Sequence, residues 1–405
     1  MRGRAIVCGF TVFLGVLGCV NPGPNVRLDD GKDYYRTLPE GQHALRKITD
    51  PRMIPDFSKA FGNVAELRDA VNHSINYMAK PSSKTFFPKS GISHAQVEKS
   101  LFAFRDLLDS KKTATQLNEE LRKRFDVYTS VGCDDQGTML FTGYYTPVFD
   151  ASLTRGGAYQ YPIHKLPPNH IKDPITGDTL GRRRADGTID ANYPDRAKLL
   201  SSGELKGLEL AWLTNPFEAY VAMVQGSAFL RLPDGTQMEV GYAGNNGQDY
   251  TSISMELVKS GKMKREQLNL RSMIEYFKKN PQDFEPLAAK NKRYVFFQPS
   301  TGGPFGTINE KVLPLRSLAT DKSIFPRASL CFFTTNLPDE NGKGNAPYEG
   351  FALDQDAGGA IRAPGRCDIY IGGGDDAGER AGHIYAEGRL YYLILKDGQS
   401  AKVSR

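Results

Sequence analysis

Cysteine is scarce in this 405-residue chain, and nowhere is it arranged to grip a metal. The five cysteines (8, 19, 133, 331 and 367) include no Cys-x-x-Cys pair, and the six histidines are scattered. A structural zinc site is therefore not expected, and nothing in the sequence calls for a metal or a cofactor. Long apolar runs are also missing: the longest, Ala5 to Leu17, is too short for a comfortable membrane span. No basic run with interleaved aromatics points to nucleic acid, and no repeat of solenoid length is visible. What remains is 40% hydrophobic and 24% charged, the balance of an ordinary globular protein long enough for two domains.

The amino terminus suggests a compartment. Arg2 and Arg4 precede the apolar stretch, which ends at Gly18-Cys19, so residues 1–18 read as an export signal. Val16-Leu17-Gly18-Cys19 resembles a bacterial lipobox, in which Cys19 is lipidated; an ordinary secretory signal with an incidental cysteine is the competing reading. Residues 19–45, in which Asn, Pro and Gly follow Cys19-Val20, read as a tether. The absence of aspartate directly after Cys19 implies the outer membrane, with the protein facing the periplasm. Cleavage would lower the net charge from +6 to about +4, which suits an acidic polymer without selecting one. At most one disulfide could form among Cys133, Cys331 and Cys367.

Helices come first along the chain. Asn63 with Glu66, and Ser93 with Gln96, are capping signatures ahead of apolar residues at helical spacing. A third amphipathic segment, about Thr115 to Phe125, carries Leu117, Leu121 and Phe125 on one face. From Val127 the pattern turns to short apolar runs broken by Gly, Pro, Asn and Asp, among them 139–145, 222–232 and 294–297. Many short strands with turn signals indicate barrels rather than a doubly wound sheet. One helical interruption is expected around Arg265 to Lys278, and a final hairpin with its turn at Glu387-Gly388.

The densest chemistry lies near the carboxyl end. Asp356 and Asp368 bracket a loop with three glycines, and Asp368 enters a strand-like stretch, Cys367 to Ile371. Glycines permit sharp turns and close approach of a ligand. An aspartate at such a junction either caps a turn or stands at the floor of a cleft as an acid or base. Four further segments accompany it: Phe141-Thr-Gly-Tyr-Tyr-Thr-Pro147, Val224-Gln-Gly-Ser227, Gly241-Tyr-Ala-Gly-Asn-Asn-Gly247 followed by Tyr250-Thr-Ser-Ile, and Arg316-Ser-Leu-Ala-Thr-Asp321.

In this order, from about residue 95 to Lys396, the segments resemble the membrane-bound lytic murein transglycosylase A family. The resemblance implies a mainly β fold with N-terminal helices: a double-psi β-barrel domain (46–147 plus 301–405) and an inserted β domain (148–300), with a glycan groove between them. It implies non-hydrolytic cleavage of the β-1,4 bond between N-acetylmuramic acid and N-acetylglucosamine in peptidoglycan, ending in a 1,6-anhydromuramoyl group. Asp368 matches the family's single acid/base, and Asp321 and Asp356 match its two supporting aspartates. Thr142, Tyr144, Tyr145, Gln225, Ser227 and Asn246 are candidate substrate contacts. Strand alternation would send one of the two tyrosines to the core, and Gln225, Ser227 and Asn246 could equally be turn residues. Ala228, where the family often has glycine, would narrow the groove; His164 stands where tyrosine is usual. The expected partners are glycan strands, the membrane through the lipid anchor, and other cell-wall enzymes. A hydrolase on the same barrel, or a wall-binding lipoprotein without catalysis, are the competing readings.

Overall fold

The structure is a computed structural model that describes residues 31–174, 177–264, 270–339, 344–359 and 361–399. The export signal and Cys19 lie outside the described residues, as do 265–269 of the expected helical interruption. Among the described residues, no helix is long and apolar enough to cross a membrane.

Both capping signatures act as read. Asn63 Oδ1 accepts from the Glu66 amide at the start of helix Val64–Met78, and Ser93 and Gln96 form a reciprocal capping box before helix His94–Leu108. The third helix spans Ala114–Arg124, capped by Thr113 and Gln116. Phe125, fully buried, instead opens the strand Phe125–Ser130. Phe57, Phe104, Phe332 and Phe351 interlock where these helices meet the barrel, with Phe57 and Phe332 edge to face at 4.9 Å.

Six strands close on themselves in the order Met139–Thr146, Tyr385–Leu395, Leu330–Pro338, Asn345–Asp356, Ser317–Ala319, Arg366–Gly373 and back to Met139–Thr146. Two of these pairings are parallel, which requires long crossovers rather than hairpins. The expected final hairpin is absent. Tyr385–Leu395 is one strand that pairs with Met139–Thr146 through residue 388 and with other partners beyond it. Gly388 is no turn residue; a Cβ there would run into the Thr334 carbonyl oxygen, so glycine lets two strands cross closely.

Residues 148–300 form a second sheet of six strands, ordered Val295–Ser300, Gln237–Asn245, Ser227–Arg231, Val148–Ser152, Glu209–Leu213, Tyr161–His164. A bridge between Lys165 and Phe297 draws the two edges together. This region is more helical than expected. Residues 222–225 end a helix, Pro216–Gln225, capped by Asn215 and stopped by Gly226 in the left-handed conformation (φ 77°); only Ser227–Arg231 is strand. Helix Leu270–Lys279 answers the expected interruption, and Phe277 packs on Phe217 and Phe284.

The described part of the 19–45 tether is docked rather than free. Lys32 and Tyr34 both reach Glu387, at 2.6 and 2.7 Å, and Arg36 donates to the Cys133 carbonyl. Gly365 makes room for this strap, because a side chain there would meet the Tyr34 backbone.

Candidate active site

Register brings the carboxylates together. Ala319 pairs with Asp356 on one side and Asp368 on the other; Asp368 pairs with Thr142, and Thr142 with Tyr385. Asp356 and Asp368 therefore start two strand spacings apart, about 10 Å between backbones.

The three aspartates are held differently. Asp356 Oδ1 accepts from the Thr307 and Ala357 amides at 2.9 and 2.8 Å, and Oδ2 from the Tyr144 hydroxyl at 2.9 Å. Burial raises its carboxyl above the usual range, and these donors pull the other way. Asp321 Oδ1 takes the Ser323 amide and hydroxyl, and Oδ2 takes the Ala363 amide at 2.9 Å. Ala363 sits at φ 70°, unfavourable for a residue with a Cβ, so Asp321 pins a strained point of the loop leading to Asp368.

Asp368 is 6% exposed, and its one hydrogen-bond donor among the described residues is Thr142, which reaches Oδ1. Oδ2 takes no such bond and is not among the sealed, partnerless atoms, so it keeps an opening to solvent. Burial raises the carboxyl above its ordinary value, while the Arg366 charge and the Thr142 hydroxyl lower it. Burial, and no neighbouring carboxylate, is what raises it. Cys367 beside it is a sealed thiol, raised well above its usual range by burial; Cys133, Cys331 and Cys367 are all free.

Among the other candidates, Tyr144 is half-buried with its hydroxyl on Asp356 and its ring 5.2 Å from that of Tyr370, whereas Tyr145 is core. Alternation along the strand divides the pair. Thr142 is fully buried and touches Asp368, so it holds that carboxyl and does not face a ligand. Gln225 and Ser227, partly exposed, flank the left-handed Gly226. Asn246 is not available to a ligand: its amide donates to the Pro194 and Lys292 carbonyls and its oxygen accepts from the Tyr294 amide. The Ala228 methyl enters the core, and Ser227 points to the opposite face of the strand. His164 is buried, its Nδ1 2.6 Å from the Tyr294 hydroxyl, and burial lowers it to about 4.

Sequence reasoning missed Arg366, two residues before Asp368 and so on the same strand face, and the pair Lys322–Asp354 with Thr320 and Tyr392 beneath the site. Alternation could have flagged Arg366; nothing local marks Lys322 as buried.

The two regions meet at this end of the barrel. A Cβ at Gly359 would lie 3.8 Å from the Tyr250 side chain, and the Glu239 carboxylate accepts from the Gly303 amide in the connection back to the barrel. The chain matches the model of the MltA specific insert domain over residues 140–298 and that of the 3D domain over 316–394. Membrane-bound lytic murein transglycosylase A of Escherichia coli K12 is 29% identical over 364 residues, covering 88% of this chain and 90% of that protein. Its Vibrio cholerae counterpart is 30% identical over 271 residues, 66% of this chain and 68% of that one. The crystal structure of the E. coli protein with bound chitohexaose superposes with a TM-score of 0.67 at 26% identity, over 91% of this chain and 97% of that one. A closed six-stranded barrel carrying three aspartates, an inserted second sheet and these likenesses place the chain in the membrane-bound lytic murein transglycosylase A family.

Proposed function

We propose that this protein is a peptidoglycan lytic transglycosylase in which Asp368 acts first as acid and then as base. The observation that carries the assignment is the contrast among the carboxylates. Asp356 and Asp321 have both oxygens committed to donors, whereas Asp368 is buried, raised, and keeps Oδ2 open. A raised carboxyl holds its proton into the range where it can protonate a departing oxygen.

The chemistry then needs one group. Asp368 donates its proton to the N-acetylglucosamine O4 as the bond from C1 of N-acetylmuramic acid breaks. The resulting carboxylate takes the proton of the muramoyl O6 hydroxyl, and O6 bonds to C1 of the same sugar. The proton returns to Asp368, no water is consumed, and the product ends in a 1,6-anhydro ring. An internal nucleophile has the proximity advantage of an intramolecular step. A hydrolase would need a second carboxylate free to activate water or attack C1; Asp356, saturated by two amides and a hydroxyl, is poorly suited to that role. In this reading the insert, 148–300, forms one wall of the glycan groove and the barrel, 46–147 plus 301–405, the other. Tyr144, Gln225 and Ser227 face the strand, and Thr142, Asp356 and Asp321 hold the acid and its loop.

The same reading places the protein on the outer membrane, facing the periplasm, through a lipid on Cys19 after removal of residues 1–18. Labelling with radioactive palmitate should mark the protein and be lost in Cys19→Ser; equal labelling of that variant would remove the anchor from the proposal.

The decisive experiment is mass spectrometry of purified peptidoglycan digested by the lipid-free protein and by Asp368→Ala. Muropeptides with 1,6-anhydromuramic ends, absent with the variant, are expected, and the rate should fall by a factor of about 10² to 10⁴. Reducing ends would mean a hydrolase. Wall binding without release by either protein would mean a binding module.

A further inference from the structure

Arg366 is the largest side chain sealed in the described protein, at 1% exposure. A buried guanidinium ordinarily meets a carboxylate, because an uncompensated interior charge is strongly unfavourable. Among the described residues no carboxylate forms an ion pair with Arg366. Its Nη2 donates to Thr142 Oγ1 at 3.1 Å, the Tyr35 ring of the amino-terminal strap covers it at 5.3 Å, and its Nε has no acceptor.

The direction of this chain of bonds follows from the groups. Arginine only donates, so Thr142 must accept from it, and the single hydroxyl proton is then directed to Asp368 Oδ1. A cation at one end polarises the hydroxyl and strengthens the bond at the other. Leu140, opposite Arg366, and Thr142, opposite Asp368, lie on one strand in register with theirs, so the backbone itself holds the three side chains in line.

We propose that Arg366, acting through Thr142, is a positioning residue that orients the Asp368 carboxyl and sets the pH at which it releases its proton. The other groups around Asp368 leave this role to Arg366. Tyr144 on the adjacent strand, and Cys367 and Tyr370 on its own, are kept protonated and neutral by burial. Asp356 lies beyond Ala319 and is held by its own donors. Lys322 is paired with Asp354, and Arg362 lies out by Asp321. The sign is fixed: a cation stabilises the carboxylate, so its loss must raise the proton affinity of Asp368 further.

The kinetic consequence rests on the transglycosylase reading; the electrostatic one does not. A general acid loses activity as pH rises through its own titration, so the alkaline limb of kcat/KM reports Asp368. Arg366→Gln and Thr142→Val should move that limb upward by about one pH unit or more, and Arg366→Lys by less than half of that. In parallel, the Asp368 carboxyl is titrated directly by carbon-13 NMR, its signal assigned with Asp368→Asn, and should move by the same amounts. If the wild-type protein releases no anhydro ends, the transglycosylase reading fails while the carboxyl titration still decides the relay. A folded Arg366→Gln whose Asp368 titrates as in the wild type overturns the proposal, as does Arg366→Lys behaving like Arg366→Gln. If Arg366→Gln does not fold, Thr142→Val, which keeps the shape and removes only the hydroxyl, decides it: an unmoved titration overturns the relay.

Discussion

The barrel and the insert differ in the balance of polar groups they bury. Beneath the barrel's site lie full charges: Arg366 over Thr142, and Lys322 on Asp354, itself bonded to Thr320 and Tyr392. Inside the insert the buried polar groups are mostly neutral and satisfied, as with His164 on Tyr294, Asn246 on three backbone groups, and Asn291 on Tyr220. A neutral amide or imidazole holds loops together at small desolvation cost. A buried ion pair adds little net stability, but it creates a field at a fixed place. The barrel's buried charges lie beside its carboxylates, whereas the insert's, Arg196 against the Tyr220 and Tyr294 rings and Glu256 with Lys259 and Lys290, sit on its own helices.

The largest test of this contrast is Lys322→Ala. Leaving Asp354, fully buried, without its cation should destabilise the barrel by about 3 to 5 kcal/mol in denaturant unfolding. A loss below about 1 kcal/mol would mean that the charge is not needed.

The insert's sharpest response should be to acid. His164 titrates at about 4 in the folded protein, below the 6.5 of an ordinary histidine, so between those values the unfolded chain binds the extra proton. Stability should be complete above about pH 6.5 and fall by about 3 kcal/mol as the pH drops towards 4, with no further loss from this group below that. His164→Tyr should flatten this part of the melting-temperature profile; an unchanged slope would assign it elsewhere.

The smallest effect belongs to Asn246→Ala. It should cost about 1 to 3 kcal/mol, from the carbonyls and amide it leaves unpaired, without changing activity on peptidoglycan at temperatures where the variant is folded. A selective loss of activity in the folded variant would return Asn246 to the substrate contacts.

Much of this was legible in the residues. The helix caps at Asn63 and Ser93, the 139–146 strand and the division of Tyr144 from Tyr145 follow from side-chain chemistry and strand period, which act over a few residues. The errors came where a residue's partner is distant. Gly388 reads as a turn because glycine usually marks one, but its reason is the Thr334 carbonyl on another strand. Asn246, in a glycine-rich loop, reads equally as a glycan contact or a turn residue, and only its partners, residues 194, 292 and 294, show how it is held. The helix 216–225 was hidden in an apolar run that suits strand and helix equally, although Asn215-Pro216 and Gly226 mark both of its ends.

By itself, then, the sequence determined the capped amino-terminal helices and many of the strands after them, pointed to export and lipidation signals ahead of them, and picked out three aspartates, with Asp368 singled out by resemblance. Only the tertiary structure decided how differently the three are held. Asp321, Asp356 and Asp368 are the same side chain, and what separates them is the set of donors each receives, some from its own turn and others from strands and loops far apart in the chain: three for Asp321, three for Asp356, and for Asp368 a single threonine hydroxyl backed by a buried arginine. Proton affinity follows from burial and from those partners, and both exist only once the barrel has closed.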